Sequence, residues 1–216
     1  MQEARRRWGA DCLAVAAYGS VAHGAARRYS DLEVVVLTSD DVPAQESQHV
    51  RDGVLVEVDV LPATRMLRAA GRVTVFWGLE ADQYRVFQSL YDPSALLAQV
   101  RAASLAVPAA AFVQPLHDSA LRLLELLGKF CNAADDHDSA TMRDVGWRYA
   151  HGAALRAALL DRRPYESGRT LWADARGRGY GLSALIAALA DGPALSLPEP
   201  LLGVHRAFGI AWPLAP

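Results

Sequence analysis

Three acids and a Gly-Ser pair stand where they could serve one chemistry. In YGSVAHGAARRYSDLEVVVL (residues 18–37), Asp31 and Glu33 lie two apart at the start of an apolar run. VLVEVDVL (54–61) carries Glu57 and Asp59 at the same spacing. Residues two apart in an extended chain project to the same side, so each pair sets two carboxylates together. Like charges so placed repel unless a cation neutralises them. Magnesium does this with hard oxygen ligands, commonly one or two carboxylates plus phosphate oxygens. Glu57 supplies a third carboxylate if its strand lies alongside. Three such acids can hold two ions about 3.5–4 Å apart, the arrangement that clamps attacking and leaving oxygens in phosphoryl chemistry. Gly19 lets the backbone approach a phosphate, and Ser20 adds a hydroxyl where VAHGAA is expected to begin a helix. Arg27 and Arg28 offer further charge for phosphate. Alone, D-x-E reads as a turn residue followed by a solvent-facing residue of an edge strand. The Gly-Ser pair and the acid on the next strand weigh against that.

The elements that must position these residues are legible as short runs. CLAVAAY (12–18), EVVVL (33–37) and VLVEVDVL (54–61) read as strands, the last beside a turn at Asp52-Gly53, and YRVFQSLY (84–91) as a further strand. Pro62 opens a helix, ATRMLRAA, and Pro93 starts another, SALLAQVRAAS. Short strands with interspersed helices predict an α/β or α+β domain over residues 1–107. From Pro108 the apolar spacing turns helical, in FVQPLHDSALRLLELLGKFCN and TMRDVGWRYAHGAALRAALL, which predicts a helical bundle over residues 108–216.

Composition narrows the function classes. The 216 residues are 52% apolar with a net charge of −2, which fits a globular protein and excludes wholesale nucleic-acid binding. No apolar run is long enough to span a bilayer, so no membrane partner is expected. Cys12 and Cys131 form no CxxC pair, which argues against a disulfide scaffold or zinc site and suits a reducing cytoplasm. The basic start MQEARRR precedes a short run that follows Asp11 and reads as a strand rather than an export signal.

The pattern G-S, ten residues, D-x-E resembles the nucleotidyltransferase superfamily that includes DNA polymerase β. YSDLEVVVL with LVEVDV, FQSLYDPSALLAQV and ELLGKF looks closer to the aminoglycoside 4′-nucleotidyltransferase (kanamycin nucleotidyltransferase-like) group. The resemblance implies an α+β fold, a mixed-sheet nucleotidyltransferase domain followed by a C-terminal helical bundle. It implies transfer of AMP from Mg-ATP to an aminoglycoside hydroxyl with release of pyrophosphate, conferring resistance. A cytoplasmic homodimer with shared active sites goes with it. Carried over by position, Ser20, which follows Gly19, contacts nucleotide phosphate, and Asp31, Glu33 and Glu57 bind Mg²⁺, expected as two ions. His23 stands where the family often has Arg, so either Arg27 or Arg28 compensates or phosphate is held more weakly. Some relatives carry Glu near Gln48, for which Glu46 is a substitute.

Asp118, Arg122, Glu125 and Lys129 make a polar stripe at helical spacing, which by itself reads as a solvated face. The resemblance reads it differently: the Glu of Glu-x-x-x-Lys is the general base and the Lys a charge stabiliser at the α-phosphate, giving Glu125 and Lys129 those roles. Alternative readings are another acceptor, a lincosamide or a protein hydroxyl, or a non-catalytic nucleotide-binding or antitoxin-like module. DDHD (135–138) reads as an acidic loop in which Asp138 or Ser139 caps the next helix. ARGRGYG (175–181) reads as a helix connection, Trp77, Trp147 and Trp172 as core, and His49, His117 and His151 as structural.

Overall fold

A computed structural model describes residues 1–210. The chain divides into two compact units. The first comprises Met1–Arg72 with Glu80–Pro108, and the second Val73–Leu79 with the chain from Ala109 on.

The first unit opens with helix α1 (Gln2–Trp8), strand β1 (Cys12–Tyr18) and a one-turn helix α2 (Gly19–Ala22). Strands β2 (Leu32–Thr38), β3 (Gln45–Arg51) and β4 (Val54–Pro62) follow, then helix α3 (Ala63–Ala70). The short helix α4 (Trp77–Glu80) spans a boundary of the division, and β5 (Gln88–Tyr91) and α5 (Leu96–Leu105) complete the unit. The five strands form one mixed sheet in the order β3-β4-β2-β1-β5, with β2 and β4 parallel and the other neighbours antiparallel. The β3–β4 hairpin turns on Asp52 and Gly53, both at positive φ, the conformation that suits a two-residue loop to the twist of its strands.

Each face of the sheet has its own apolar layer. Ala14, Ala16, Val35 and Leu37 pack under Met66 and Ala70 of α3 and Leu97 and Val100 of α5. Val15, Val36 and Val60 pack on the other face with Ala4 of α1. Helix α5 is held at its start by Asp92, whose carboxylate accepts from the backbone N–H of Leu96 (2.7 Å) and Leu97 (3.1 Å).

The second unit contains two long helices, α6 (Val113–Asp135) and α7 (Ser139–Asp161), packed along each other, and three shorter ones, α8 (Leu171–Gly177), α9 (Leu182–Asp191) and α10 (Pro198–Ala207). Ala150, Ala153, Ala154, Ala157 and Ala158 are fully buried, and such small side chains let neighbouring helices approach α7. Asp138 caps α7 by accepting from the N–H groups of Ala140 and Thr141. Arg156 on α7 donates to Leu116 O (2.6 Å) and Ser119 Oγ (2.9 Å), fixing the first turns of α6. Among the described residues, no single helix is long and apolar enough to cross a membrane.

The α+β class and mixed sheet agree with the sequence expectation, and local readings differ in five places. Strand β3 is absent from it because QESQHVR is polar and almost wholly exposed, with no apolar alternation to reveal an edge strand. YRVFQSLY yields only four strand residues, since Asp82–Tyr84 forms a 3₁₀ turn. VAHGAA does not extend α2, which ends at Ala22. Val73–Leu79, expected in the first domain, belongs to the second unit: Trp77 is buried edge-on against Phe112 (4.9 Å), and Gly78 O accepts from Tyr165 N (2.7 Å). ARGRGYG is helical up to Gly177, and its remainder links α8 to α9.

Asp92→Ala removes two acceptors from the start of α5 and is expected to cost about 1 kcal/mol, while Asp92→Asn retains most of that. Urea unfolding of the three proteins checks it. Equal midpoints for Ala and Asp would show that the cap contributes nothing.

Candidate active site

The sheet pairing gathers the acids of the first unit. Glu33 on β2 lies directly opposite Glu57 on β4, and Val35 opposite Asp59. The row through Glu33 runs Tyr18, Glu33, Glu57, Gln48 across β1, β2, β4 and β3, and the next row on that face contains Ala16, Val35, Asp59 and Glu46. Asp31 precedes β2 by one residue. This face therefore changes character along its length. Towards Leu37 it is apolar and covered by α3 and α5; towards Glu33 it is acidic.

Each acid is met differently. The carboxylate of Glu33 lies against Gly19, so closely that a Cβ on that glycine would overlap Glu33 Oε2. Gly19 also has φ +63°, the left-handed region that favours glycine. Gln48 Nε2 donates to Glu57 Oε1 (2.7 Å), and Tyr18 Oη donates to Asp59 Oδ2 (2.8 Å). Burial, followed by the charges of Asp31, Glu57 and Asp59, raises the pKa of Glu33 above the ordinary carboxylate value. Burial and the hydrogen bond to Asp59 raise that of Tyr18, which keeps the phenol a donor.

Among the described residues, no three His, Cys, Asp or Glu side chains are grouped as metal ligands as they stand. The expected trio of Asp31, Glu33 and Glu57 shares one region of the sheet without converging on a point. Like charges separate, and Glu57 takes a donor from its own strand neighbour. The chemistry of the set still fits a hard cation: every donor is a carboxylate oxygen, and such an ion relieves both the burial of the Glu33 charge and its repulsion by Asp31, Glu57 and Asp59. Beside them, Ser20 Oγ is buried and makes no hydrogen bond among the described residues. A buried hydroxyl without a partner is costly, and here it sits at the first turn of the chain after β1, where phosphate oxygens could accept from it.

The remaining sequence-derived residues of this unit have partners of their own. His23 Nε2 contacts Asp82 Oδ2 (2.5 Å), a partner 59 positions away that no local pattern announces. Arg27 and Arg28 are exposed in the loop before β2, with the Arg28 guanidinium over the Tyr29 ring (5.3 Å).

Glu125 and Lys129 belong to the second unit. They pair at 2.6 Å one turn apart on α6, with side chains 65% and 54% exposed. The hydrogen bond from Lys129 holds the Glu125 carboxyl below its ordinary value. Glu125 lines a cavity of about 570 Å³ whose wall also includes Phe76, Arg122, Trp147, Arg148 and His151. Trp77 is core as expected, whereas Trp147 and His151 line this cavity. Burial and the nearby Arg122 lower the pKa of His151, so the ring is neutral at neutral pH. Nothing in the linear sequence joins Phe76 to α6 and α7. The i, i+4 spacing of Trp147 and His151 was the available signal that these two share a face.

No protein-family profile and no curated protein matches the sequence. Among solved structures the chain resembles a nucleotidyltransferase-like protein from Exiguobacterium sibiricum. The TM-score is 0.63 and the identity 12%, over 97% of this chain and 74% of that one. The chain thus has the fold of a nucleotidyltransferase-like protein.

Two outcomes test this geometry. Gly19→Ala puts a Cβ onto Glu33 and strains the backbone, and is expected to cost about 1 kcal/mol in chemical unfolding; unchanged stability would contradict the contact. Glu33→Gln is expected to raise the melting temperature at neutral pH. Because folding raises the pKa of Glu33, the native state gains relative to the variant as pH falls, and the Gln advantage disappears below the ordinary value of 4.5. A variant less stable at neutral pH would show that the charge is compensated.

Proposed function

We propose that the protein is a nucleotidyltransferase that transfers a nucleoside monophosphate, AMP from ATP, to an acceptor hydroxyl. The observation that carries this reading is the conjunction of the Glu33–Glu57 register with the unpartnered Ser20 hydroxyl beside it. The likeness in fold to a nucleotidyltransferase-like protein supports it.

In this reading Asp31, Glu33 and Glu57 hold Mg²⁺, which when bound offsets their repulsion and the charge of the triphosphate. Ser20 donates to a phosphate oxygen, and Gly19 keeps the backbone free of a side chain that would displace Glu33. Asp59, already bound by Tyr18, steadies β4 rather than joining the ligands. The acceptor hydroxyl attacks the α-phosphorus. A new P–O bond forms, the bond from the α-phosphorus to the bridging oxygen breaks, and pyrophosphate leaves. Glu125 takes the hydroxyl proton. Glu125 is ionised at neutral pH, the form that accepts a proton, and the hydrogen bond from Lys129 lowers its pKa further. Lys129 in turn supplies positive charge for the α-phosphate.

The motif resemblance names an aminoglycoside as acceptor, and kanamycin is accordingly the first compound to assay, beside a lincosamide and a protein hydroxyl. Mg-ATP labelled at the α-phosphate is incubated with the chain and each acceptor. Label on an acceptor with release of pyrophosphate is expected, and label on none of them favours a nucleotide-binding module instead. Asp31→Asn is expected to abolish transfer, and Glu125→Gln to slow the chemical step by about 10²–10⁴ with ATP binding little changed. Full activity in either variant would remove that residue from its role.

A further inference from the structure

The cavity along α6 and α7 has a charge balance that the motif resemblance does not anticipate. Its wall is largely apolar, with Val75, Phe76, Leu126, Trp147 and Leu155 among the lining residues. A volume of about 570 Å³ suits a small molecule with a ring body. Only one lining side chain is acidic, Glu125, and its charge is met by Lys129 at 2.6 Å. Two are cationic. Arg148 pairs with Asp144 (3.2 Å), whereas Arg122 forms no ion pair among the described residues and lies over the Phe76 ring at 5.0 Å. His151 adds no negative charge. What the cavity offers a ligand is therefore an aromatic wall and one unpaired guanidinium.

We propose that this cavity is the acceptor site and that its acceptor is an anion built on an apolar ring, not a polycation. The assignment rests on the nucleotidyl-transfer reading, because Glu125 on its wall is the base of that reaction. Arg122, stacked on Phe76, pairs with the acceptor's carboxylate, sulfonate or phosphate through a charge-assisted, two-pronged hydrogen bond. Phe76 and Trp147 contact the ring. A polycationic sugar meets the opposite: its amines would face Arg122 and Arg148, and the one carboxylate able to receive them is already held by Lys129. The triphosphate co-substrate also joins a ring to an anion, so the test must separate the two.

Anilinonaphthalene sulfonate and its uncharged counterpart N-phenylnaphthylamine share a ring body and differ in the anion. Each is titrated into the full chain, with probe fluorescence and tryptophan quenching as readouts. Saturable sulfonate binding is expected, with the uncharged probe bound about tenfold more weakly. Arg122→Gln is expected to lose about tenfold in sulfonate affinity with no change for the uncharged probe, and Arg122→Lys to restore part of it. Equal binding of both probes, or an Arg122→Gln protein indistinguishable from wild type, overturns the proposal. Displacement of the sulfonate by kanamycin also overturns it, and displacement by Mg-ATP assigns the cavity to the nucleotide instead. None of these titrations involves transfer. The transfer assay is repeated with a hydroxyl-bearing aromatic carboxylate beside the earlier acceptors: an absence of labelled product with all of them sinks the enzymatic reading and leaves the cavity an anion site only, whereas loss of the charge dependence sinks the acceptor assignment alone.

Discussion

Parallel pairing of β2 with β4 brings Glu33 opposite Glu57 on one face of the sheet, and the surroundings of that face answer the repulsion it creates. Gln48 crosses from β3 to bind Glu57, and Tyr18 crosses from β1 to bind Asp59. Glu33 has no such donor among the described residues and lies against Gly19, where the absence of a side chain leaves it room. The sheet tolerates this concentration of charge because the other half of the same face is well packed. Val35 and Leu37 are buried under α3 and α5, so the strand that begins acidic ends in the core. A surface that is unfavourable for folding alone, supported by a rigid apolar layer, is how proteins commonly hold a site whose charge a ligand completes.

The second unit follows a different logic. Small residues along α7 allow tight helix packing, and the cavity opens where larger side chains replace them: Phe76 from the chain before α4, Trp147 and His151 from α7. Its polar groups come from α7, as Arg148 and His151, and from α6, as Ser119 with Arg122 and Glu125 of the polar stripe. That stripe serves two ends at once. Glu125 and Lys129 neutralise each other as an exposed pair of little energetic consequence, and Arg122 forms no ion pair among the described residues and lies over an aromatic ring.

At 12% identity, likeness to a nucleotidyltransferase-like protein concerns the path of the chain, and a shared path alone does not carry an activity. The proposed activity rests on side chains: a registered carboxylate pair, a buried hydroxyl without a partner among the described residues, and a glycine that no other residue could replace without disturbing a carboxylate. Each of these is a cost to the folded chain that phosphate and a cation would remove.

By itself the sequence determined the strands around the acids, the change to helices after residue 107 and the presence of both acid pairs. These follow from local patterns: runs of Val and Leu, the period-two spacing of Asp31 with Glu33 and Glu57 with Asp59, and the Asp52-Gly53 turn. Only the tertiary structure decided that Glu33 faces Glu57, because register between strands is set by packing of both sheet faces and not by either strand alone. It also decided that His23 meets Asp82, that polar β3 closes the sheet edge, and that Val73–Leu79 joins the helical unit. Those contacts link residues distant in the chain through buried aromatics, polar pairs and backbone hydrogen bonds, which leave no periodic trace in a linear sequence.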